Sequence, residues 1–429
     1  MKAAFITLGC KVNQYETEAM RLILQQNGAD DTDVSIRDAD AIIVNSCTVT
    51  AESDRKLRQL LRRCRRQNPS AVLVLTGCMP QAFPEKTTAL DADIILGNAS
   101  RRALPEAIAD FRKNGKTVAI PPHSKEYEPL TIREMEGHTR AFVKIQDGCN
   151  RFCTYCIIPY ARGRVRSRAV ADIQEELTAL AARGYREVVL VGINLSAYGQ
   201  DNGTDLADAV DAACAVDGIE RVRLGSLEPD FMTDEILRRL SSQPKLCPQF
   251  HIALQSGCDA TLKRMNRHYT TADYAALCAK LRERFPGCAL TTDVMVGFPG
   301  ETEADFAASL SFTESIGFSR VHVFPYSRRP GTVADKMPDQ VPEEEKNDRS
   351  HRMIEACRHS ADAYAGGYIG KTVTILTETR RADGLTEGLT DTYLTVAAKT
   401  AQPAGKMISV RIISYQGGIL IGEETVLKE

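Results

Sequence analysis

Three thiols, Cys149, Cys153 and Cys156, fall within eight residues in the stretch DGCNRFCTYCIIPYARGRVRSR, 147–168. A structural zinc takes four ligands and closes its shell. This group supplies three, and its nearest histidine, His138, lies upstream across an expected strand. An iron–sulfur cubane also has four corners, each normally given one thiolate. Three thiolates would leave one iron open to chelate a small molecule through amino and carboxylate groups. S-adenosylmethionine has that pair, and one-electron reduction then cleaves it to a carbon radical. The competing readings are zinc or plain core cysteines.

Cys10, Cys47 and Cys78 form a second set with no contiguous motif, yet each directly follows a hydrophobic run: KAAFITLG, AIIVNSC and AVLVLTGC. If those runs are parallel strands, their carboxyl ends share one edge, where open α/β sheets bind ligands. Small buried cysteines at strand ends are the alternative. The other seven cysteines, at 64, 214, 247, 258, 278, 288 and 357, share no face and read as structural.

The elements that must position these thiols alternate from the first residue. Short β-rich runs and helical stretches over 1–112 predict an α/β, doubly wound parallel sheet. Residues 113–138 mix Pro, Gly and charge and read as a linker. Over 139–366 six further strands, AFVKIQD, EVVLVGIN, RVRLGSLEP, FHIALQSG, LTTDVMVGFPGE and RVHVFPYS, predict a partial (β/α)6 barrel, short of the eight units of a closed one. Each strand ends in Gly or polar residues, where such barrels do chemistry. Asn194, Glu228, Gln255 and the turn of Gly297, Pro299 and Gly300 are therefore candidate cofactor contacts, with helix capping and turn geometry as the ordinary explanations. Short strands over 367–429 predict a small antiparallel β-barrel, a shape that can hold oligonucleotides.

Composition sets the outer bounds. The 429 residues, 43% hydrophobic and 26% charged, fit a multidomain globular protein. No apolar stretch reads as a secretory signal or membrane span, so no membrane and a cytoplasmic location are expected. Thirteen cysteines in that reducing setting argue against a disulfide framework. A net charge of −2 leaves any nucleic-acid contact to local patches: RKLRQLLRRCRR (55–66), RGRVRSR (162–168) and KRMNRHY (263–269). The first is also explained as an amphipathic helix with its arginines in solvent.

The blocks TLGCKVNQYETEAM, NSCTVT, GCMPQ, GCNRFCTYCIIPYARGRVRSR, LQSGCDATLKRMNRHYT and TTDVMVGFPGETE resemble the radical S-adenosylmethionine methylthiotransferases, and the carboxy-terminal segment resembles that family's RNA-binding TRAM domain. The resemblance implies two [4Fe-4S] clusters, a radical cluster on Cys149, Cys153 and Cys156 and an auxiliary one on Cys10, Cys47 and Cys78 that carries the inserted sulfur. S-adenosyl-L-methionine is the implied cosubstrate. Lys11 and Val12 after Cys10 look most like the branch that adds methylthio at carbon 2 of threonylcarbamoyladenosine at position 37 of tRNA. Ala253, and Met79 with Pro80, depart from the family pattern without removing a ligand.

The implied partners are a tRNA anticodon stem-loop, a sulfur donor and a flavodoxin- or ferredoxin-type electron donor, with the chain a monomer. The alternatives are the same chemistry on isopentenyladenosine or on a ribosomal-protein aspartate. A non-catalytic, metal-containing RNA-binding protein is the reading of another class.

Overall fold

The computed structural model describes residues 1–425. In the amino-terminal body, β1 (Ala3–Thr7), β2 (Ala41–Ser46), β3 (Val72–Gly77), β4 (Ile94–Leu96) and β5 (Thr117–Ala119) lie side by side in sequence order, all parallel. β2 and β3 are buried at every position, so they read as continuous apolar runs and not as alternating ones. Helices α1 (Lys11–Gln26) and α3 (Leu104–Asn114) cover one face through Met20, Leu24, Leu104 and Ile108. Helix α2 (Ala51–Gln67) covers the other through Leu57, Leu60, Leu61 and Cys64, so the sheet is helix-covered on both sides, as expected.

β5 lies inside the stretch expected to be a linker. Three residues with half-exposed or exposed side chains carry no strand signal of their own, and pairing with the edge of β4 creates the strand. The rest of that connection is tied down as well. The Tyr15 hydroxyl donates to the Leu130 carbonyl at 2.6 Å, and Arg101 pairs with Glu128 at 2.8 Å.

The central body is the open six-stranded barrel that the strand pattern predicts. β6 (Ala141–Lys144), β7 (Glu187–Val191) and β8 (Arg221–Leu224) form one parallel ladder. Past Gly225 the chain of β8 continues as Ser226–Leu227 and opens a second ladder with β9 (Gln249–Ile252), β10 (Ala289–Val296) and β11 (Arg320–Pro325). Phe250, Ile252, Leu290 and Val294 join the core under the helices. The alternate positions His251, Thr291, Asp293 and His322 therefore look into the barrel, where His251 meets Asp293 at 3.2 Å and Thr291 at 3.1 Å.

Helix α4 (Glu343–Gly366) leads to a closed barrel of β12 (Thr372–Arg380), β13 (Thr386–Thr390), β14 (Thr395–Lys399), β15 (Met407–Gln416) and β16 (Ile419–Glu424). It is antiparallel apart from the β14–β16 pair, and closure leaves no free edge. The closed barrel docks on the open one through two β8 arginines. Arg221 donates to the carbonyls of Thr374 at 2.7 Å and Leu389 at 3.1 Å, while Arg223 reaches those of Thr390 and Asp391, each at 2.6 Å. Among the described residues no helix is long and apolar enough to cross a membrane.

Candidate active site

The loop bearing Cys149, Cys153 and Cys156 leaves the carboxyl end of β6 and is closed at its base by a short antiparallel ladder of Gln146–Asp147 with Arg166–Ser167. Its backbone is held in unusual conformations. Gly148 has φ +72°, and a Cβ there would stand 1.8 Å from the Arg164 carbonyl oxygen. Phe152 takes φ +51° without being glycine, strain that persists only where the surroundings enforce it. The sulfurs are met by donors. Cys149 Sγ accepts from the Arg151 backbone N–H at 3.4 Å and from Asn194 Nδ2 at 3.6 Å, and Cys153 Sγ accepts from Arg267 Nη1 at 3.4 Å. Burial first, and the neighbouring thiols second, push the Cys156 thiol far up; burial also raises Cys149.

Cys10, Cys47 and Cys78 follow β1, β2 and β3 and meet at one sheet edge, as their positions predict. Gly9 has φ +117°, and a Cβ there would lie 2.8 Å from Cys47 Cβ, so only glycine lets the two chains approach this closely. Cys47 is pushed up to about 11 by burial, then by Cys78 and Cys10. Cys10 has exposed surface although protein surrounds it, and burial dominates its raised pKa.

The two sets are locked to one another. The helical turn Cys78–Ala82 packs on the turn Ile158–Arg162 that follows Cys156, and Ile157 sits in the amino-terminal core. Arg162 is the bolt. It donates to Cys78 Sγ at 3.3 Å, Asn13 Oδ1 at 2.6 Å and Glu16 at 2.5 and 2.9 Å. Glu16 also takes Lys144 and Arg101, both at 2.8 Å, all four side chains being buried. Burial alone would raise the Glu16 pKa, but Arg101, Arg162 and Lys144 together hold it down to about 2. Asp147, also buried, is held low by Lys144, Arg162 and Arg166 against the same desolvation. Beside Cys47, Arg329 of the central body pairs with Asp54 at 2.7 Å and Thr48 at 2.8 Å.

Each set offers three soft sulfur donors and no histidine, the donor chemistry of an iron–sulfur cluster with one open corner. Among the described residues no three His, Cys, Asp or Glu side chains are grouped so as to hold a single metal ion. A cubane spreads its ligands around four metals, so the two observations are compatible. The Asn194 Oδ1 beside Cys149 is buried without a hydrogen-bond partner, which leaves an acceptor unspent at the same mouth.

The six expected cofactor contacts divide. Asn194 and Glu228 join the thiols: Asn194 through Cys149, and Glu228 through an ion pair with Arg267, which also touches Cys153. Arg151, Cys153, Glu228, Asn266, Arg267 and Tyr269 share one small pocket. Gln255, at φ +65°, continues the β9 strand beside β10. Gly297, Pro299 and Gly300 shape a turn with its own packing reason, since a Cβ on Gly297 would meet Lys346 Cγ at 2.3 Å. That turn still borders the thiol loop, because Phe298 stands edge-on to Tyr155 with ring centres 6.3 Å apart. Two larger surface clefts lie elsewhere, along α1 and residues 133–139, and hold no thiol.

Two of the basic runs need correction. In RGRVRSR, Arg162, Arg166 and Arg168 are buried in ion pairs with Glu16, Asp147 and Glu176, which leaves Arg164 exposed over the Phe152 ring. In KRMNRHY, Arg267 is spent on Glu228 and Cys153. The α2 run does face solvent through Arg55, Lys56, Arg58, Arg62, Arg63 and Arg66, with Leu57, Leu60, Leu61 and Cys64 inside. Sequence reasoning missed Asn13, Glu16, Arg101, Lys144 and Arg267 as site residues. The available hint was a polar residue at Glu16 on the α1 face otherwise meant for burial.

A three-thiol loop at the carboxyl mouth of an open βα barrel defines a radical S-adenosylmethionine enzyme, and residues 143–313 match the radical SAM superfamily. Residues 2–97 match the uncharacterized protein family UPF0004. The chain is 40% identical to the threonylcarbamoyladenosine tRNA methylthiotransferase MtaB of Bacillus subtilis, over 96% of this chain and 93% of that one. It is 38% identical to the Thermotoga maritima protein of the same name, over 95% and 93%. The tRNA-2-methylthio-N(6)-dimethylallyladenosine synthase of Acetivibrio thermocellus is 36% identical over 95% and 87%. The chain belongs to the radical S-adenosylmethionine methylthiotransferase family. S-adenosylmethionine and a [4Fe-4S] cluster come with that membership. In fold it resembles the radical S-adenosylmethionine methyltransferase TsrM of Kitasatospora setae, with a TM-score of 0.58 at 16% identity over 78% of this chain and 77% of that one.

Proposed function

We propose that this methylthiotransferase acts on tRNA, converting the carbon 2 C–H of threonylcarbamoyladenosine at position 37 to C–S–CH3 with two [4Fe-4S] clusters. Cys149, Cys153 and Cys156 would hold the radical cluster and Cys10, Cys47 and Cys78 the auxiliary one. The observation that carries the reading is the meeting of the two three-thiol sets through Arg162. Identity of 40% and 38% to the two relatives named for threonylcarbamoyladenosine, against 36% to the one named for dimethylallyladenosine, favours the threonylcarbamoyl substrate.

When bound, the clusters and S-adenosylmethionine supply a carbon radical and the sulfur to be inserted, chemistry that acid–base side chains cannot offer an aromatic C–H of no useful acidity. The protein's part is positional. Arg162, held by Glu16 and Asn13, fixes the Cys78 sulfur relative to the loop of Cys149. Arg267 joins Cys153 to Glu228 and closes the pocket floor, while Asn194 orients the Cys149 sulfur. A reactive radical requires a site closed to water, and the packed turns Cys78–Ala82 and Ile158–Arg162 bury Cys78 and Arg162 on that side. A base must leave its stack to reach thiols so placed, and the exposed arginines of α2 beside Cys47 offer phosphates a landing surface.

The test is mass spectrometry of nucleosides from threonylcarbamoyladenosine-containing tRNA after incubation with reconstituted enzyme, S-adenosylmethionine and a reductant. Appearance of 2-methylthio-threonylcarbamoyladenosine is the expected result. Methylthio on dimethylallyladenosine alone, or on a ribosomal-protein aspartate, would replace the substrate. Cys153→Ala should abolish S-adenosylmethionine cleavage, whereas Cys47→Ala should keep uncoupled cleavage and lose methylthio product. Equal loss of cleavage in both would reverse the assignment.

A further inference from the structure

Lys11 follows Cys10 directly, and it is the first residue of α1, whose first turn contains no acidic residue. Its ammonium lies 5.9 Å from the centre of the Phe142 ring and 5.5 Å from that of Tyr393. Burial first, then Arg140 and Arg223, lower its pKa to about 8, and among the described residues no carboxylate forms an ion pair with it. The neighbouring arginines are already matched: Arg140 with Glu378 at 2.8 Å, and Arg223 with Glu187 at 2.7 Å and two carbonyls of the closed barrel. Lys11 therefore keeps exposed surface although protein crowds its ammonium, and it stands between two rings beside a candidate sulfur site with no ion pair of its own among the described residues.

Two further groups stand unspent here. The Tyr393 hydroxyl and Arg140 Nε are buried without hydrogen-bond partners. Tyr393 belongs to the β13–β14 turn, takes φ +64°, and stacks under Arg223 with 3.9 Å between guanidinium and ring centre. A non-glycine residue held in that conformation implies that its side-chain position is enforced. The closed barrel thus reaches, through Tyr393, the residue that directly follows Cys10.

An ammonium set between two rings, beside arginines that already have their carboxylates and with no ion pair of its own among the described residues, fits an anionic guest. Of the two N6 arms carried by the relatives' named substrates, threonylcarbamoyl ends in a carboxylate and dimethylallyl is a hydrocarbon. We propose that Lys11 is a specificity-determining residue whose ammonium pairs with the threonyl carboxylate of the substrate, with Tyr393 and Phe142 walling the arm. This rests on the substrate reading above. A dimethylallyl arm would leave the ammonium desolvated and unpaired, so the residue selects by penalty as well as by attraction.

The experiment compares two anticodon stem-loops, one carrying threonylcarbamoyladenosine and one carrying its threonyl methyl ester, for binding to the reconstituted enzyme by fluorescence anisotropy. Wild type should bind the acid at least about tenfold more tightly, the value of one charge-assisted contact. Lys11→Met should bind both alike, and Lys11→Arg should keep a preference for the acid. Iron and sulfide assays on each variant check that the Cys10 site is intact. Should Lys11→Met lose iron, the wild-type acid-to-ester ratio and Lys11→Arg decide the matter. A tenfold preference retained by iron-replete Lys11→Met overturns the role of Lys11, as does a wild type that methylthiolates the acid while binding acid and ester equally. A wild type that leaves threonylcarbamoyladenosine unmodified overturns the substrate reading itself.

Discussion

Glu16 is the only carboxylate within ion-pair distance of both Lys144 and Arg162 besides Asp147, among the described residues, and it also takes Arg101. Removing its charge in Glu16→Gln leaves buried cations facing one another, a change that typically costs about 3–5 kcal/mol. Denaturant titration should show a loss of that order; wild-type stability would mean that the network is dispensable. The same carboxylate sets a pH dependence. Its folded pKa of about 2 lies below the ~4.3 of an unfolded glutamate, so its stabilisation is complete above roughly pH 4.5 and is lost as pH falls toward 2. The apparent melting temperature should therefore drop across that window in wild type and drop less in Glu16→Gln. Spacing made the three loop thiols legible because all three lie in one short segment. Glu16 and Asn13 were not legible, since on a helix they are ordinary polar positions until the partner domain arrives.

At the scale of elements, the loop of Cys149 depends on Gly148, where a Cβ would run into the Arg164 backbone at a positive φ. Gly148→Ala should lose iron from that site, about half of the total, while the amino-terminal sheet keeps its fold; full iron content would contradict the strain argument. Helix α2 makes a different expectation. Reversing Arg58, Arg62 and Arg63 to Glu should weaken tRNA binding about tenfold or more and flatten its salt dependence, as lost phosphate contacts do. Unchanged affinity would return α2 to a plain solvated face. Its inside and outside were readable because a helix of seventeen residues repeats its apolar stripe. The arginines of 162–168 were misread because a turn and a two-residue ladder have no period from which facing can be inferred, and β5 was missed for the same reason.

At the scale of the whole molecule, buried charge crosses both boundaries of the central body, through Glu16, Lys144 and Arg162 on one side and Arg221 and Arg223 on the other. The strand alternation revealed the first two bodies and the closed barrel because each is regular within itself. The way they dock was hidden, since Arg221 and Arg223 sit inside an ordinary strand and find their carbonyls about 150 residues later. A chain ending before Thr372 would leave both guanidiniums short of those partners, and its melting temperature should fall well below that of the full chain; an equal value would show that the closed barrel is merely tethered. The most direct test of the two-site arrangement is the iron and acid-labile sulfide content of anaerobically reconstituted protein. Wild type should hold about eight irons per chain, and about four should remain in each triple variant, Cys10→Ala/Cys47→Ala/Cys78→Ala or Cys149→Ala/Cys153→Ala/Cys156→Ala. Four irons in wild type, or zinc without sulfide at either set, would contradict it.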